Sequence, residues 1–179
     1  MANFSDFDGD LIISGTDKAS VVAVSNIIVD TMREWTYDFY ADPEEITEKD
    51  VYFSSDNAED KECQLEYQAK FSGDGYGRWS FANNIRSLGR WLAEDLKGSE
   101  KLKTLEQASF SVKFIGTDIE RGFGLYDSLT GTMFHERGVP LKDSIVDINC
   151  RSLGELTVDA LMEHYGWDEH EAKEYLGIE

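Results

Sequence analysis

From Gln64 to Phe71 the side chains alternate without a break, with Leu65, Tyr67, Ala69 and Phe71 apolar and Gln64, Glu66, Gln68 and Lys70 polar. Only an extended chain sorts such a series onto two faces, because successive strand residues point to opposite sides whereas a helix scatters them around its axis. The segment therefore predicts a strand of an antiparallel sheet with one face covered and the other wet. Phe110, Val112 and Phe114 repeat the pattern against Ser109, Ser111 and Lys113. Glu66, Gln68, Lys70 and Lys113 are thus expected in water. A one-residue slip would invert both faces, so the register is strongly specified.

The cover for these strands is legible as helical stripes. Val21, Val22, Ser25, Ile28, Val29 and Met32, behind a cap at Thr16 or Asp17, predict a helix over Asp17 to Glu34. Ile85, Leu88, Trp91, Leu92 and Leu96, behind Asn83 or Asn84, predict a second over Asn84 to Lys97. Gly9 to Gly15 reads as a short strand, and Val51 to Phe53 as another inside an acidic connector spanning 42–62. Gly73-Asp74-Gly75 signals a turn with Tyr76 to Phe81 returning as the second arm of a hairpin; Ser128 to Gly131 signals another turn, between strands 123–127 and 132–136. Lys97 to Ser109 reads as a polar connector, and Ser144 to Asn149 as a last strand. In the tail, Thr157 caps a helix bearing Val158, Leu161, Met162 and Tyr165 that Gly166 stops, and Asp168 with Glu171 opens a final helix bearing Ala172, Tyr175 and Leu176.

The expected fold class is α+β: a mostly antiparallel sheet with two helices on one face, ferredoxin-like or related, plus a C-terminal helical hairpin. A chain of 179 residues suits one compact domain, with 1–150 as the sheet domain and 151–179 as the hairpin packed on it.

Charge narrows the partners. The chain holds 36 acids against 17 lysines and arginines, a net of -19. Residues 42 to 66 contribute ten acids against two lysines, and 155 to 179 eight acids against one. Arg78 to Lys103 is the exception, with six basic groups against Glu94, Asp95 and Glu100. Such a field repels nucleic acid and anionic membrane and attracts basic proteins. No run approaches the roughly 20 apolar residues that span a bilayer, and the N-terminus carries no basic leader. Cys63 and Cys150, far apart and outside any C-x-x-C pair, read as reduced thiols, so a cytoplasmic location is expected.

Catalytic and metal motifs each lack a required part. Asp6, Asp8, Asp10, Ser14 and Asp17 imitate the spacing of a calcium loop, but Leu11 stands where the turn-forming glycine belongs. His170-Glu171 begins like H-E-x-x-H, with Glu174 in place of the second histidine; His164 lies across a helix break. No serine sits in a G-x-S-x-G context, and Gly73 to Gly77 lacks the lysine of a phosphate-binding loop. No catalytic residue, metal ligand or cofactor is expected. Arg78, Trp79, Phe81, Arg86 and Arg90 interleave aromatics with cations as single-strand-binding surfaces do; the reading preferred here puts Trp79, Phe81 and Trp91 in the core and the arginines beside carboxylates. Leu161 to Trp167 with Glu171 to Leu176 resembles, over fewer than 25 residues, the helix-loop-helix of ubiquitin-associated domains, and no function is carried over from it.

The expected function is non-enzymatic: an acidic binding or inhibitory protein that engages a basic, nucleic-acid-binding protein, with no direct nucleic-acid binding, no membrane, and scope for a homodimer. The partner-binding candidates are Glu44, Glu45, Glu48, Asp50, Asp56, Glu59, Asp60 and Glu62 of the connector, with Asp168, Glu169, Glu171 and Glu174 as a second patch. Antirestriction and anti-CRISPR proteins of mobile elements include mimics of nucleic acid, and this chain is similar to them in size and acidity without a shared motif. The alternatives are a cytosolic adaptor or structural domain whose charge serves solubility, and a weak calcium-binding protein.

Overall fold

A computed structural model describes residues 4–35, 37–54, 65–120 and 124–178, apart from the side chain of His164. The chain runs β1 (Phe4–Gly15), α1 (Lys18–Met32), β2 (Tyr37–Asp42), β3 (Tyr52–Phe53), β4 (Tyr67–Arg78), α2 (Phe81–Asp95), α3 (Glu100–Glu106), β5 (Phe110–Glu120), β6 (Leu125–His135), β7 (Ile145–Glu155), α4 (Val158–Tyr165) and α5 (Glu169–Leu176). The class is α+β, and among the described residues the seven strands form one antiparallel sheet ordered β2-β4-β1-β5-β6-β7, with β3 extending the β4 edge. That sheet is larger than a ferredoxin-like one.

Strand parity divides the sheet into two faces. Phe7, Leu11 and Ile13 of β1, Ala69 and Phe71 of β4, and Phe110, Val112 and Phe114 of β5 enter one apolar cluster with Ile28 and Met32 of α1, Ile85 and Leu88 of α2, and Leu105 of α3. Leu65, Ala69 and Phe71 are buried and Glu66 and Lys70 exposed, as the alternation demands, whereas Tyr67 and the expected water-facing Gln68 and Lys113 are half-buried. The opposite parity carries a smaller cluster in which Ile119 and Tyr126 meet Leu161 of α4 and Ala172 of α5. Tyr165 and Tyr175 fasten the hairpin there, the first to the Thr117 hydroxyl at 2.8 Å and the second donating to Asp6 at 2.5 Å.

Both expected hairpin turns are absent. β4 runs straight through Gly73-Asp74-Gly75 to Arg78, and β6 straight through Ser128 to Gly131. The glycines serve space instead of turning. Gly73, Gly75 and Gly77 all lie on the core side opposite β2, where a Cβ would come within 2.4 Å of the Phe39 ring and 2.6 Å of the Tyr37 ring. Gly131 likewise yields to Ile85 of α2, whose Cδ1 would sit 2.7 Å from a Cβ.

Three further expectations change. Ser80, not Asn83 or Asn84, caps α2, so Phe81 is the first helical residue and not the end of a strand. Its ring is the hub of the core, 4.1 Å from Phe7, 4.8 Å from Tyr37, 5.7 Å from Phe39 and 5.1 Å from Phe114. Trp79 is not core: it is 64% exposed, with a left-handed φ of 68° at the strand-to-helix corner. The connector after α2 contains α3, capped by Ser99, and β2 precedes the acidic connector.

Candidate functional site

Several of the described partner-binding acids are committed to local structure. Glu44 pairs with Arg33, the C-cap of α1, at 3.1 Å. Asp50 accepts from the Thr47 amide and hydroxyl, which hold its carboxyl below the usual range. Glu45 and Glu48 are exposed. Asp168 and Glu171 form the capping box of α5, and Glu169 pairs with Lys173, which lowers its carboxyl. Glu174 is exposed. Asp56, Glu59, Asp60 and Glu62 lie outside the described residues.

A further set of carboxylates, outside the expected partner-binding acids, lies on β1, β4 and β2. Asp6, Asp8 and Asp10 are strand residues of β1, not loop residues, and their even numbers put all three on the face opposite the core residues Phe7, Leu11 and Ile13. The register sets Asp6 beside Tyr76, Asp8 beside Asp74 and Asp10 beside Ser72. On the far side of β4 the same three residues meet Asp38, Tyr40 and Asp42 of β2. The result is a three-by-three grid in which Asp74 has Asp8 directly beside it and Asp6, Asp10, Asp38 and Asp42 at its diagonals. Neighbours in such a grid stand about 4.8 Å apart across strands and roughly 6.8 Å apart along them, so six aspartates occupy about 10 by 14 Å.

The grid is exposed at Asp8, Asp38, Asp42 and Asp74, and Tyr40 and Tyr76 are 60% and 46% accessible. Lys70 reaches Asp10 at 2.8 Å, which raises its own ammonium above the ordinary value. Strand side chains on one face project side by side and do not converge. Accordingly, among the described residues no group of three or more His, Cys, Asp or Glu is placed to hold a metal ion, and the loop that a calcium site of the expected spacing needs is not formed.

No known family model, curated protein or solved structure matches this chain.

Two other polar features stand apart from the grid. At the N-terminus of α2, Asp118 of β5 is 5% exposed; one carboxylate oxygen accepts from the Phe81 amide at 2.8 Å and the other has no hydrogen-bond partner. Burial pushes this carboxyl up to about 7. At the far end of the sheet, Thr16, Ser109, Phe110, His135, Ser144 and Ile145 help line a cavity of about 490 Å³. His135 is 4% exposed there, and its burial lowers the imidazole below its usual range. The Ser144 hydroxyl donates to the Leu141 carbonyl at 2.7 Å, so the His135 Nδ1 at 3.1 Å is the donor toward Ser144 and not the acceptor a general base requires.

The basic island is largely a solvated helix surface. Arg86 and Arg90 are exposed on α2, Lys101 pairs with Asp30, and Lys103 with Glu100. Trp79 stands beside Arg78 at the end of β4, while Trp91 packs half-buried against Trp35.

Proposed function

We propose that the protein is a non-enzymatic binding or inhibitory protein whose carboxylate grid on the open face of β2, β4 and β1 engages a basic, nucleic-acid-binding protein in place of nucleic acid. The single observation that supports this is the Asp8–Asp74 pairing at the centre of the grid. Like charges directly opposite on neighbouring strands each cost about 0.2–1 kcal/mol, and nothing in the packing requires an acid at either exposed position. Acids kept against stability are best accounted for by what they bind. Over the same 14 Å, duplex DNA displays roughly eight phosphate charges, so six aspartates approach its density.

The grid displaces the connector as the primary docking surface, with Glu44, Glu45 and Glu48 as a flanking acidic rim. Tyr40 and Tyr76 add amphipathic contact area of the kind that anchors interfaces. The free thiol of Cys150 accords with a reducing cytoplasm. We also read the order β5-β1-β4-β2 with α1 and α2 as a ferredoxin-like core enlarged by β6 and β7, because β1 and β2 are co-directional with β4 between them, as β4 and β5 are around β1.

The test immobilises the protein, captures proteins from the source lysate at low salt, elutes with salt, and compares wild type with the Asp8→Asn, Asp38→Asn, Asp42→Asn, Asp74→Asn quadruple variant. A nucleic-acid-binding protein that elutes with salt from the wild type and is lost from the variant supports the reading. Undiminished capture by the variant refutes the grid. Direct binding of single-stranded DNA through Arg78, Trp79, Arg86 and Arg90 refutes the mimic.

A further inference from the structure

β7 ends the sheet, and among the described residues no strand pairs with its outer edge. A long exposed edge is a template for another chain, and natural edges are usually blunted by lysine, proline or brevity. β7 has none of these: it spans eleven residues without lysine or proline, and Ile145 and Leu153 are 72% and 45% exposed. The opposite edge is protected by brevity, since β2 is only six residues long.

The sequence of β7 is complementary to itself in one register. Two copies related by a dyad normal to the sheet pair antiparallel, so one residue must sit on the axis opposite its own copy. With Asn149 on the dyad, Asp147 faces Arg151 of the second copy and Arg151 faces its Asp147, giving two opposite-charge pairs on one face. Ile148 then faces Cys150, Val146 faces Ser152, and Ile145 reaches the exposed Leu153 at the bulge that interrupts the β6–β7 ladder between Tyr126 and Asp127. Neighbouring registers lose this match. A dyad at Ile148 sets Ile145 against Arg151, and one at Cys150 sets Ile145 against Glu155. A dyad at Asp147 or Arg151 sets that charge on itself. Opposite charges across strands favour pairing and like charges oppose it, so the edge specifies both its partner and its register.

We propose that β7 is an isologous dimer interface that joins two copies into one continuous fourteen-stranded sheet about Asn149. The ladder is shorter than a standard interface, so the dimer forms with a dissociation constant on the order of micromolar. It is independent of the partner bound by the aspartate grid, which lies at the other side of the sheet.

Sedimentation velocity over a concentration series tests it. Wild type is expected to move from monomer to dimer, Arg151→Asp to remain monomer, and the charge swap Asp147→Arg with Arg151→Asp to recover the dimer, each with unchanged far-ultraviolet circular dichroism. In a Cys63→Ser, Cys150→Ser background, Asn149→Cys is expected to oxidise to a covalent dimer, because strands across a dyad hold paired Cα atoms about 4.5–5.5 Å apart, within disulfide reach. Ser152→Cys, which faces Val146, should not. A wild type that stays monomeric at high concentration, a dimer that survives Arg151→Asp, or a charge swap that fails to restore it would each overturn the proposal.

Discussion

Replacing Asp118 with asparagine should stabilise this protein at alkaline pH and do little in acid. The carboxyl is raised from an ordinary 3.8 to about 7 by burial, with one oxygen bonded to the Phe81 amide and the other unpartnered. A folded-state value above the unfolded one means that folding takes up a proton between the two. The stability linked to Asp118 is therefore complete below pH 4 and is lost as pH rises toward 7. Three units of separation at about 1.4 kcal/mol each set an upper bound of ~4 kcal/mol on this loss. Asparagine keeps an oxygen for the Phe81 amide and carries no charge, so Asp118→Asn should exceed wild type by roughly 1–3 kcal/mol at pH 8, allowing for an imperfectly satisfied amide. In a domain of this size that is a midpoint shift of a few degrees, since 1 kcal/mol moves it by about 2–4 °C. Urea denaturation of both proteins at pH 5 and pH 8 isolates the effect, because the general repulsion among 36 acids is almost identical in the two. A variant less stable at pH 8, or a wild-type-to-variant difference that does not grow with pH, would refute the reasoning.

Two other changes probe the sheet. Gly75→Ala should cost about 1–3 kcal/mol in the same assay, because its Cβ would meet the Tyr37 ring at 2.6 Å and the buried ring cannot retreat without repacking; a neutral result would show that the ring moves freely. Asp74→Asn should stabilise by about 0.2–1 kcal/mol at low ionic strength, a gain erased by high salt as screening removes the repulsion from Asp8. A destabilising effect of Asp74→Asn that persists in salt would mean the carboxylate has a structural duty.

Why some elements were readable in the chain and others were not follows from the range of the interactions that form them. α1, α4 and α5 begin at caps supplied within three residues, Asp17 to the Ser20 amide, Thr157 to Ala160, Asp168 to Glu171. The faces of β4 and β5 follow from alternation alone. Gly73, Gly75 and Gly131 misled because a glycine selected for room beneath Phe39, Tyr37 or Ile85 has the same local appearance as one selected for a turn. β2 is hard to read because an exposed Tyr40 blurs its short alternation, and its pairing to β4 is what makes it a strand.

The candidate site divides in the same way. The period-two spacing of Asp6, Asp8 and Asp10 already implies a shared face if the segment is extended, and the same holds for Asp38 and Asp42. Their adjacency to Asp74 is not in the sequence at any local scale, for Asp8 and Asp74 are brought together only by the ladder between β1 and β4. Local sequence specifies the antiparallel α+β character, the buried faces of β4 and β5, the caps of α1, α4 and α5 and the excess of negative charge. Tertiary structure alone decided which acids became neighbours and which edge of the sheet stayed open. Periodicity and capping act within a few residues, whereas strand order and register are chosen by packing between segments far apart in the chain.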